Sequence, residues 1–312
     1  MLILVEKRLK LELPGRYLMM RKPDWLRVKI PGGDVHHSIK KNLRSKNLST
    51  VCEEARCPNV GECWREGTAT IMILGEICTR GCRFCSVKSG NPAGLIDPQE
   101  PSKCAETVIS MALNYVVLTC VDRDDLPDGG STHFGRVIRA IKEAKPDCKV
   151  EVLVSDYQGR EIDVRNVIAE NPDVFAHNLE TVARLTPKVR DRRASYEQSL
   201  SVLRMAKKIS PDLITKSSLM LGFGETREEV LEAMEDLKQA GVDVITFGQY
   251  LRPSVKQLEV VEYIHPDVFK DFAGKAEEMG FLYVASGPLV RSSYKAGELF
   301  LSKVLDSKQY PV

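Results

Sequence analysis

The chain has 312 residues, 28% of them charged and 43% hydrophobic, a composition that excludes a disordered or fibrous protein. Its 45 lysines and arginines nearly balance 43 acidic residues, so a net charge of +2 excludes a chain-wide basic surface for nucleic acid. No apolar run approaches the ~20 residues that a membrane span needs. The apolar run at the N-terminus is too short for a signal peptide, and no transit-peptide pattern is evident. These features favour a cytoplasmic location, with a mature organellar form as the alternative.

Residues 68–287 alternate apolar strand-like runs with amphipathic helical stretches. The run that begins at Tyr115 is continuously apolar, which is typical of a parallel strand covered on both faces. Strands separated by single helices form right-handed βαβ units, and six or seven such units can close or nearly close into a barrel. The predicted fold class is therefore α/β and barrel-like, with strands at 70–74, 115–121, 150–154, 174–177, 214–221, 244–247 and 281–285.

The two ends of the chain do not follow this rhythm. Residues 1–67 are an extension rich in basic residues and turn signals, and residues 288–312 form a polar C-terminal extension. We expect both to pack on the barrel of residues 68–287 rather than to form independent domains.

Three cysteines directly follow the first predicted strand, with the spacing C-x3-C-x2-C. Cys78, Cys82 and Cys85 would lie on a loop at the carboxyl end of that strand. Three thiolates can hold three irons of a 4Fe–4S cluster and leave the fourth iron open for a ligand. The alternatives are a zinc knuckle or cysteines that simply fill the core.

A second set, Cys52, Cys57 and Cys63, has the spacing C-x4-C-x5-C. It again offers three sulfurs that need a fourth partner. Neither gap is the C-x2-C of a zinc finger, so an iron–sulfur site is favoured, with a zinc staple of the N-terminal segment as the alternative. The other three cysteines, Cys104, Cys120 and Cys148, are interpreted as small hydrophobic residues.

The first motif, with Phe84 before its last cysteine, resembles that of the radical S-adenosylmethionine enzymes. The resemblance implies a partial (β/α)6 TIM-like barrel, a 4Fe–4S cluster on Cys78, Cys82 and Cys85, and S-adenosylmethionine bound at the open iron. Further segments resemble the lipoyl synthase family within that superfamily. They are CEEARCPNVGEC at 52–63, VDRDDLPDGG at 121–130, AHNLE at 176–180, GQY at 248–250 and RSSY at 291–294.

This resemblance implies insertion of two sulfur atoms at C6 and C8 of a protein-bound octanoyl-lysine. A second, auxiliary 4Fe–4S cluster would be held by Cys52, Cys57, Cys63 and a serine, for which we take Ser293 before Ser292, and it would be the sulfur donor. The implied partners are an octanoylated lipoyl carrier domain (the E2 component of a 2-oxoacid dehydrogenase or the glycine cleavage H protein), a ferredoxin- or flavodoxin-like reductant and an iron–sulfur assembly or carrier protein. Nucleic acid and membrane are not expected partners.

Polar residues at the strand ends are further candidates. Asn178 and Glu180 follow the fourth predicted strand, where the superfamily binds the ribose of its cofactor; a helix N-cap is the alternative. Arg190 or Arg193 could pair with the cofactor carboxylate, and we take Arg193 as the candidate, against a solvated charged loop. Phe84 is assigned to the cofactor site with them. Residues 222–225 are predicted to form a turn before a capping box at Thr226.

Two other classes of function remain open at this point. One is another sulfur-inserting radical enzyme, such as a biotin synthase or a methylthiotransferase, although the RNA-binding module usual in the latter is not seen. The other is a non-catalytic module stapled by zinc or by iron–sulfur clusters. Metal and sulfide content separates them, since two clusters would hold about eight irons.

Overall fold

Eight strands form one sheet in the computed structural model, which describes residues 21–27, 49–50, 59, 63 and 68–293. The first strands are β1 (Ser49–Thr50), β2 (Thr68–Ile73), β3 (Ile77–Cys78) and β4 (Lys88–Ser89). The alternating part then runs through α1 (Glu100–Ser110), β5 (Tyr115–Cys120), α2 (Ser131–Ala144), β6 (Lys149–Leu153), α3 (Glu161–Ile168), β7 (Val174–Ala176), α4 (Thr186–Val189), α5 (Tyr196–Ile209), β8 (Ile214–Leu221), α6 (Arg227–Gln239), β9 (Val244–Gln249), α7 (Pro266–Glu278) and β10 (Tyr283–Ser286). Short 3-10 turns occupy Asp24–Leu26 and Tyr157–Gly159.

The sheet order is β1-β2-β5-β6-β7-β8-β9-β10. All neighbours from β2 to β10 are parallel, and only β1 is antiparallel to β2. In the described part of the chain no pairing joins β10 back to β1, so the sheet is an open, partial barrel. The predicted fold class and the seven predicted strands are confirmed, each within a few residues of its observed bounds.

Two buried clusters lie between the sheet and its helices, and a smaller one fills the barrel. In β5, Val116 and Leu118 face the helices, where they join Phe134 and Ile138 of α2 in the first cluster. The second cluster gathers the apolar faces of β8, β9, α6 and α7. Alternate strand residues, including Tyr115 and Val117, point to the barrel interior. This alternation leaves the carboxyl ends of the strands as the common edge for a site.

The first helix ends earlier than its apolar pattern predicts. The pattern extends to Ala112, but α1 stops at Ser110, and Ile109 is 54% exposed. Ala112 has φ +51°, and the N–H of Leu113 donates to the carbonyl of Val108 at 3.0 Å. This left-handed C-terminal turn satisfies the last carbonyls and ends the helix.

Two smaller predictions are confirmed. Cys104 and Cys148 are buried in the first cluster, and Cys120 packs against it. Thr226 caps α6 in a capping box with Glu229. None of the helices in the described ranges combines the length and the apolar character that crossing a bilayer would take.

Candidate active site

The loop that carries Cys78, Cys82 and Cys85, called here the cysteine loop (residues 78–90), follows directly after β2. Leu74 and Gly75 turn the chain sharply with φ values of +66° and +89°. The short parallel pair β3·β4 forms the base of the loop, where the N–H of Gly90 donates to the carbonyl of Cys78 at 2.9 Å. The loop therefore lies at the carboxyl end of β2, as predicted.

The cysteine loop is hydrogen-bonded to the segments that follow β5 and β9. The N–H of Thr79 donates to the Asp122 carbonyl after β5 at 2.9 Å, and the N–H of Leu258 after β9 donates to the Arg83 carbonyl at 3.0 Å. Gln257 Nε2 donates to the Cys85 carbonyl at 3.0 Å. Phe84 packs against the second core cluster, while Cys78 and Val87 pack against the first. The loop thus bridges the two halves of the core.

Backbone N–H groups point at the cysteine sulfurs. Cys78 Sγ accepts from the N–H of Arg80 at 3.4 Å, and Cys82 Sγ accepts from that of Asp191 at 3.3 Å. Burial, reinforced by Asp122, raises the pKa of Cys78 to about 12, and burial raises the pKa of Cys82 to about 11. The free thiols are therefore protonated at neutral pH, and metal binding would release their protons.

Within the described ranges, no three Cys, His, Asp or Glu side chains converge on a position for one metal ion. A 4Fe–4S cluster does not require three side chains to converge on one metal ion, because each cysteine binds a separate iron.

A buried arginine joins the cysteine loop to carboxylates of other loops. Arg80 is 3% exposed, and its guanidinium donates to Asp156 at 2.6 and 2.7 Å and to Asp124 at 2.9 Å. Asp122 lies 3.4 Å away. The hydrogen bonds from Arg80 outweigh burial and lower the pKa of Asp124 to about 2, whereas burial raises the pKa of Asp122 to about 6. Removing Arg80 would leave the buried Asp156 carboxylate without this ion pair.

Sequence reasoning did not assign Arg80 a role. Its carboxylate partners are 44 and 76 residues away along the chain, and no local spacing signals such pairs. The presence of an arginine inside the cysteine motif was the only available sign.

A second arginine, Arg190, lies on the inner side of the cysteine loop. His177 Nδ1 lies 2.9 Å from the Val154 carbonyl, which requires a proton on Nδ1. Its Nε2 then accepts from the Ser199 hydroxyl at 3.0 Å, and Ser199 Oγ accepts from Arg190 Nη1 at 2.6 Å. Burial and the nearby Arg190 lower the pKa of His177 to about 4, so the ring is neutral and this polarity is fixed.

Arg190 keeps one donor free. Its Nε is buried and finds no partner in the described ranges, while its charge acts on Cys82 and on Glu180. A buried unpaired donor at this position favours an anionic ligand.

Asn178 and Glu180 follow β7 and line the same interior. Glu180 has φ +72°, and its backbone N–H donates to the Ser218 carbonyl at 3.0 Å, which attaches this turn to β8. Asn178 Nδ2 donates to Glu180 Oε1 at 3.2 Å, and Asn178 Oδ1 is a buried acceptor with no partner among the residues described. Burial raises the pKa of Glu180, and Arg190 opposes this shift. The N-cap alternative is wrong, because the next helix begins only at Thr186.

Arg193 lies on the outside of the cysteine loop. Its side chain is 41% exposed; it binds Asp191 at 2.8 Å and donates to the Thr79 carbonyl at 2.6 Å. Arg193 therefore braces the loop in this structure, while Arg190 is the arginine that faces inward.

The second cysteine set is described only in part. Cys52 and Cys57 lie outside the described residues, as does Tyr294. Cys63 is buried, and its N–H donates to the Asn59 carbonyl at 3.1 Å. Asn59 Nδ2 in turn donates to the Leu289 carbonyl at 2.6 Å. This contact brings the Cys63 segment to within four residues of Ser293, and Ser292 and Ser293 are both half-buried.

Comparison with known proteins decides the family. The model of the radical SAM superfamily matches residues 72–249, and that of the N-terminal domain of lipoyl synthase of the radical SAM family matches residues 6–57. A lipoyl synthase of Thermus thermophilus is 58% identical over 90% of this chain and 87% of its own length. The chain belongs to the lipoyl synthase family.

Relatives occur in several settings. A lipoyl synthase of Sorangium cellulosum is 52% identical over 91% of this chain and 80% of its own length. A mitochondrial lipoyl synthase of Candida tropicalis is 53% identical over 97% of this chain and 81% of its own length. Family members thus include bacterial and organellar forms.

Solved structures support the fold. The crystal structure of methylornithine synthase superposes with a TM-score of 0.53 at 11% identity, covering 88% of this chain and 96% of that one. HydG, a maturase of the [FeFe]-hydrogenase, gives 0.53 at 12% identity over 80% of this chain and 71% of its own. At these identities the likeness concerns the fold alone.

Membership makes this chain a sulfur-inserting radical SAM enzyme, and the superfamily implies a 4Fe–4S cluster and S-adenosylmethionine. The site fits both groups. The thiols of Cys78 and Cys82 receive backbone N–H donors, as iron–sulfur ligands do. The buried unpaired Arg190 Nε and Asn178 Oδ1 offer one donor and one acceptor beside them.

Proposed function

We propose that this chain inserts sulfur at C6 and C8 of an octanoyl group amide-linked to a lysine of a lipoyl carrier domain. The observation that carries the proposal is the cysteine loop at the carboxyl end of β2. It lies beside buried polar atoms of Arg190 and Asn178 that have no partner among the described residues. When bound, the cluster and S-adenosylmethionine would supply a radical able to abstract hydrogen from unactivated carbon.

The residues of the site take distinct roles in this proposal. Cys78, Cys82 and Cys85 hold the cluster, and the Arg80 network fixes the loop that presents them. Arg190 binds the cofactor carboxylate through its free Nε, and Asn178 with Glu180 binds the ribose hydroxyls. Phe84 anchors the loop in the second core cluster, and Arg193 braces its outer side.

A second cluster is proposed at Cys52, Cys57, Cys63 and Ser293, and it would supply the inserted sulfur. The hydrogen bond between Asn59 and Leu289 supports this assignment, because it joins the N-terminal cysteine segment to the serine segment. Serine is a harder ligand than thiolate and is the ligand expected to leave first when iron is lost.

The proposed partners are the octanoylated carrier domain, a ferredoxin- or flavodoxin-like electron donor and an iron–sulfur assembly or carrier protein that rebuilds the second cluster. The proposed location is the cytoplasm, with a mature organellar form as the alternative, since the relatives include a bacterial and a mitochondrial protein.

Replacement of one loop cysteine tests the radical site. Cys82→Ala should leave about half of the iron and abolish 5′-deoxyadenosine formation. Cys148→Ala, a buried cysteine in the first core cluster, is the matched control and should keep both iron and activity. Normal 5′-deoxyadenosine formation by Cys82→Ala would overturn the assignment.

The origin of the sulfur is tested separately. Protein reconstituted with labelled sulfide is allowed a single turnover in unlabelled buffer. Label in both product sulfurs is expected. Unlabelled product sulfur, with the second cluster intact, would refute the donor role.

A further inference from the structure

Five exposed cations surround the cysteine loop without any carboxylate partner in the described ranges. They are Arg83, Lys88, Lys188, Arg192 and Lys256. Arg83 Nη1 donates to the Lys188 carbonyl, Arg192 follows the residue whose N–H binds Cys82, and Lys256 lines one cavity together with Arg83. Lys88 belongs to the cysteine loop itself. We call it the loop patch.

None of the five side chains of the loop patch forms an ion pair within the described ranges. Most of the other lysines and arginines between residues 68 and 293 pair with a carboxylate. Two acids close to the patch have other partners, because Asp191 pairs with Arg193 and Glu259 pairs with Arg252. Unpaired like charges around one loop produce a local positive potential that attracts an acidic partner.

The patch also has a cavity and an apolar centre. A cavity of about 480 Å³ opens beside Cys82 and Cys85, and Arg83, Val255 and Lys256 line it. Val255 is 70% exposed. An apolar residue inside a rim of charges is the usual composition of a protein–protein contact.

We propose that the loop patch is the docking surface of a small acidic protein that donates single electrons to the cluster held by the cysteine loop. This inference rests on the proposed function. Electron transfer weakens steeply with distance, and Cys82 and Cys85 themselves line the cavity at this face. The carrier lysine, by contrast, must reach the inner side of the loop, where Arg190 and Asn178 lie.

Charge reversal on the patch tests the proposal with the cluster-loaded enzyme. The variant Lys188→Glu/Lys256→Glu is compared with Arg136→Glu/Lys275→Glu, which makes the same charge change outside the patch. The probe is a purified 2Fe–2S ferredoxin of net negative charge, and the reduction rate of the cluster is followed by stopped-flow absorbance. We expect the patch variant to be reduced about tenfold more slowly at low salt, with the control unchanged, and added salt to diminish the difference.

Two further measurements separate the outcomes. Dithionite is a small reductant that needs no docking surface, so 5′-deoxyadenosine formation driven by dithionite should be equal in all variants. If the unmodified enzyme forms no 5′-deoxyadenosine with dithionite, that result contradicts the proposed function and not the docking surface. Binding of an octanoylated carrier domain should be unaffected. The proposal is overturned if ferredoxin reduces the patch variant and the control at equal rates. It is also overturned if the patch variant loses carrier binding while its reduction by ferredoxin is unchanged. Should the double variant load no cluster, Lys256→Gln alone should still slow ferredoxin reduction about twofold, and an unchanged rate counts against the patch.

Discussion

At the scale of single residues, the direction of the Arg190 guanidinium depends on Ser199. Ser199 Oγ accepts the 2.6 Å hydrogen bond from Nη1, and His177 holds that hydroxyl in turn. Ser199 is therefore a positioning residue, because it acts on the ligand only through Arg190.

Ser199→Ala should weaken S-adenosylmethionine binding. A hydrogen bond to a charged group contributes about 1.5–3 kcal/mol, so we expect KM for S-adenosylmethionine to rise at least about tenfold, with kcat within about twofold and iron content unchanged. The spectral change of the reduced cluster on cofactor addition should require correspondingly more cofactor. Ser201→Ala on the same helix is the control, and an unchanged KM in Ser199→Ala would exclude the positioning role.

His177 makes stability depend on pH. Its folded pKa of about 4 lies below the ordinary value of 6.5, so the unfolded chain takes up the proton first as pH falls. The neutral His177 ring therefore does not lower the free energy of unfolding above pH 6.5. As pH falls from 6.5 towards 4, the free energy of unfolding decreases by roughly 3 kcal/mol. The free energy of unfolding in urea, measured on the metal-free chain, should depend less on pH between 6.5 and 4 in His177→Gln than in the unmodified protein. Equal slopes in both proteins would contradict the assignment.

Sequence reasoning reached the loop ligands because their spacing is local. Cys78, Cys82 and Cys85 lie within eight residues, and the strand before them has a clear apolar pattern. It did not reach the Arg80 network or the Ser199 contact, since these depend on which side chains meet after folding. It also could not distinguish Arg190 from Arg193, which differ only in the side of the loop they face.

At the scale of elements, β9 and the segment after β10 approach each other unusually closely. A Cβ atom on Gly248 would lie 2.1 Å from the Val290 carbonyl oxygen, so only glycine fits there. This approach seats residues 287–291 against the end of β9, immediately before Ser293.

Gly248→Ala should therefore displace the serine segment. We expect loss of the second cluster's iron while the first cluster stays, so about half of the iron remains and 5′-deoxyadenosine is still formed. Gly274→Ala, where a Cβ meets nothing within 4 Å, is the matched control and should be neutral or stabilising by up to about 1 kcal/mol. Full iron content in Gly248→Ala would contradict this account.

The strands themselves were predictable, since each is a short apolar run bounded by turn residues. The helix ends were less so, because a left-handed residue such as Ala112 can end a helix inside an apolar pattern.

At the scale of the whole molecule, a buried polar triad connects three strands across the barrel interior. Lys216 of β8 donates to Glu151 of β6 at 2.8 and 3.0 Å, and Tyr115 of β5 donates to the same carboxylate at 2.7 Å. All three residues are nearly inaccessible to solvent. Removal of one charged partner would leave the other as a buried, unpaired charge.

Lys216→Met should destabilise the fold by about 3–5 kcal/mol, because it leaves Glu151 as an unpaired buried charge. Lys216→Met/Glu151→Gln should recover much of that loss, although Tyr115 keeps only a neutral acceptor. Denaturant unfolding measures both variants. A double variant no more stable than the single one would show that the cost does not come from the unpaired carboxylate.

The bridging of the sheet by the cysteine loop also has a consequence for the order of biosynthesis. The loop is translated early, yet its contacts at Gln257 and Leu258 come from residues made more than 170 positions later. At about 5–20 residues per second, roughly 9 to 35 s of translation separate the cysteines from the segment that holds them. During that time the cysteines of the nascent chain lack the hydrogen bonds from Gln257 and Leu258. We therefore expect iron and sulfide to be inserted only after these later residues have been made, and a chain truncated before residue 257 would lose the contacts even with every cysteine in place.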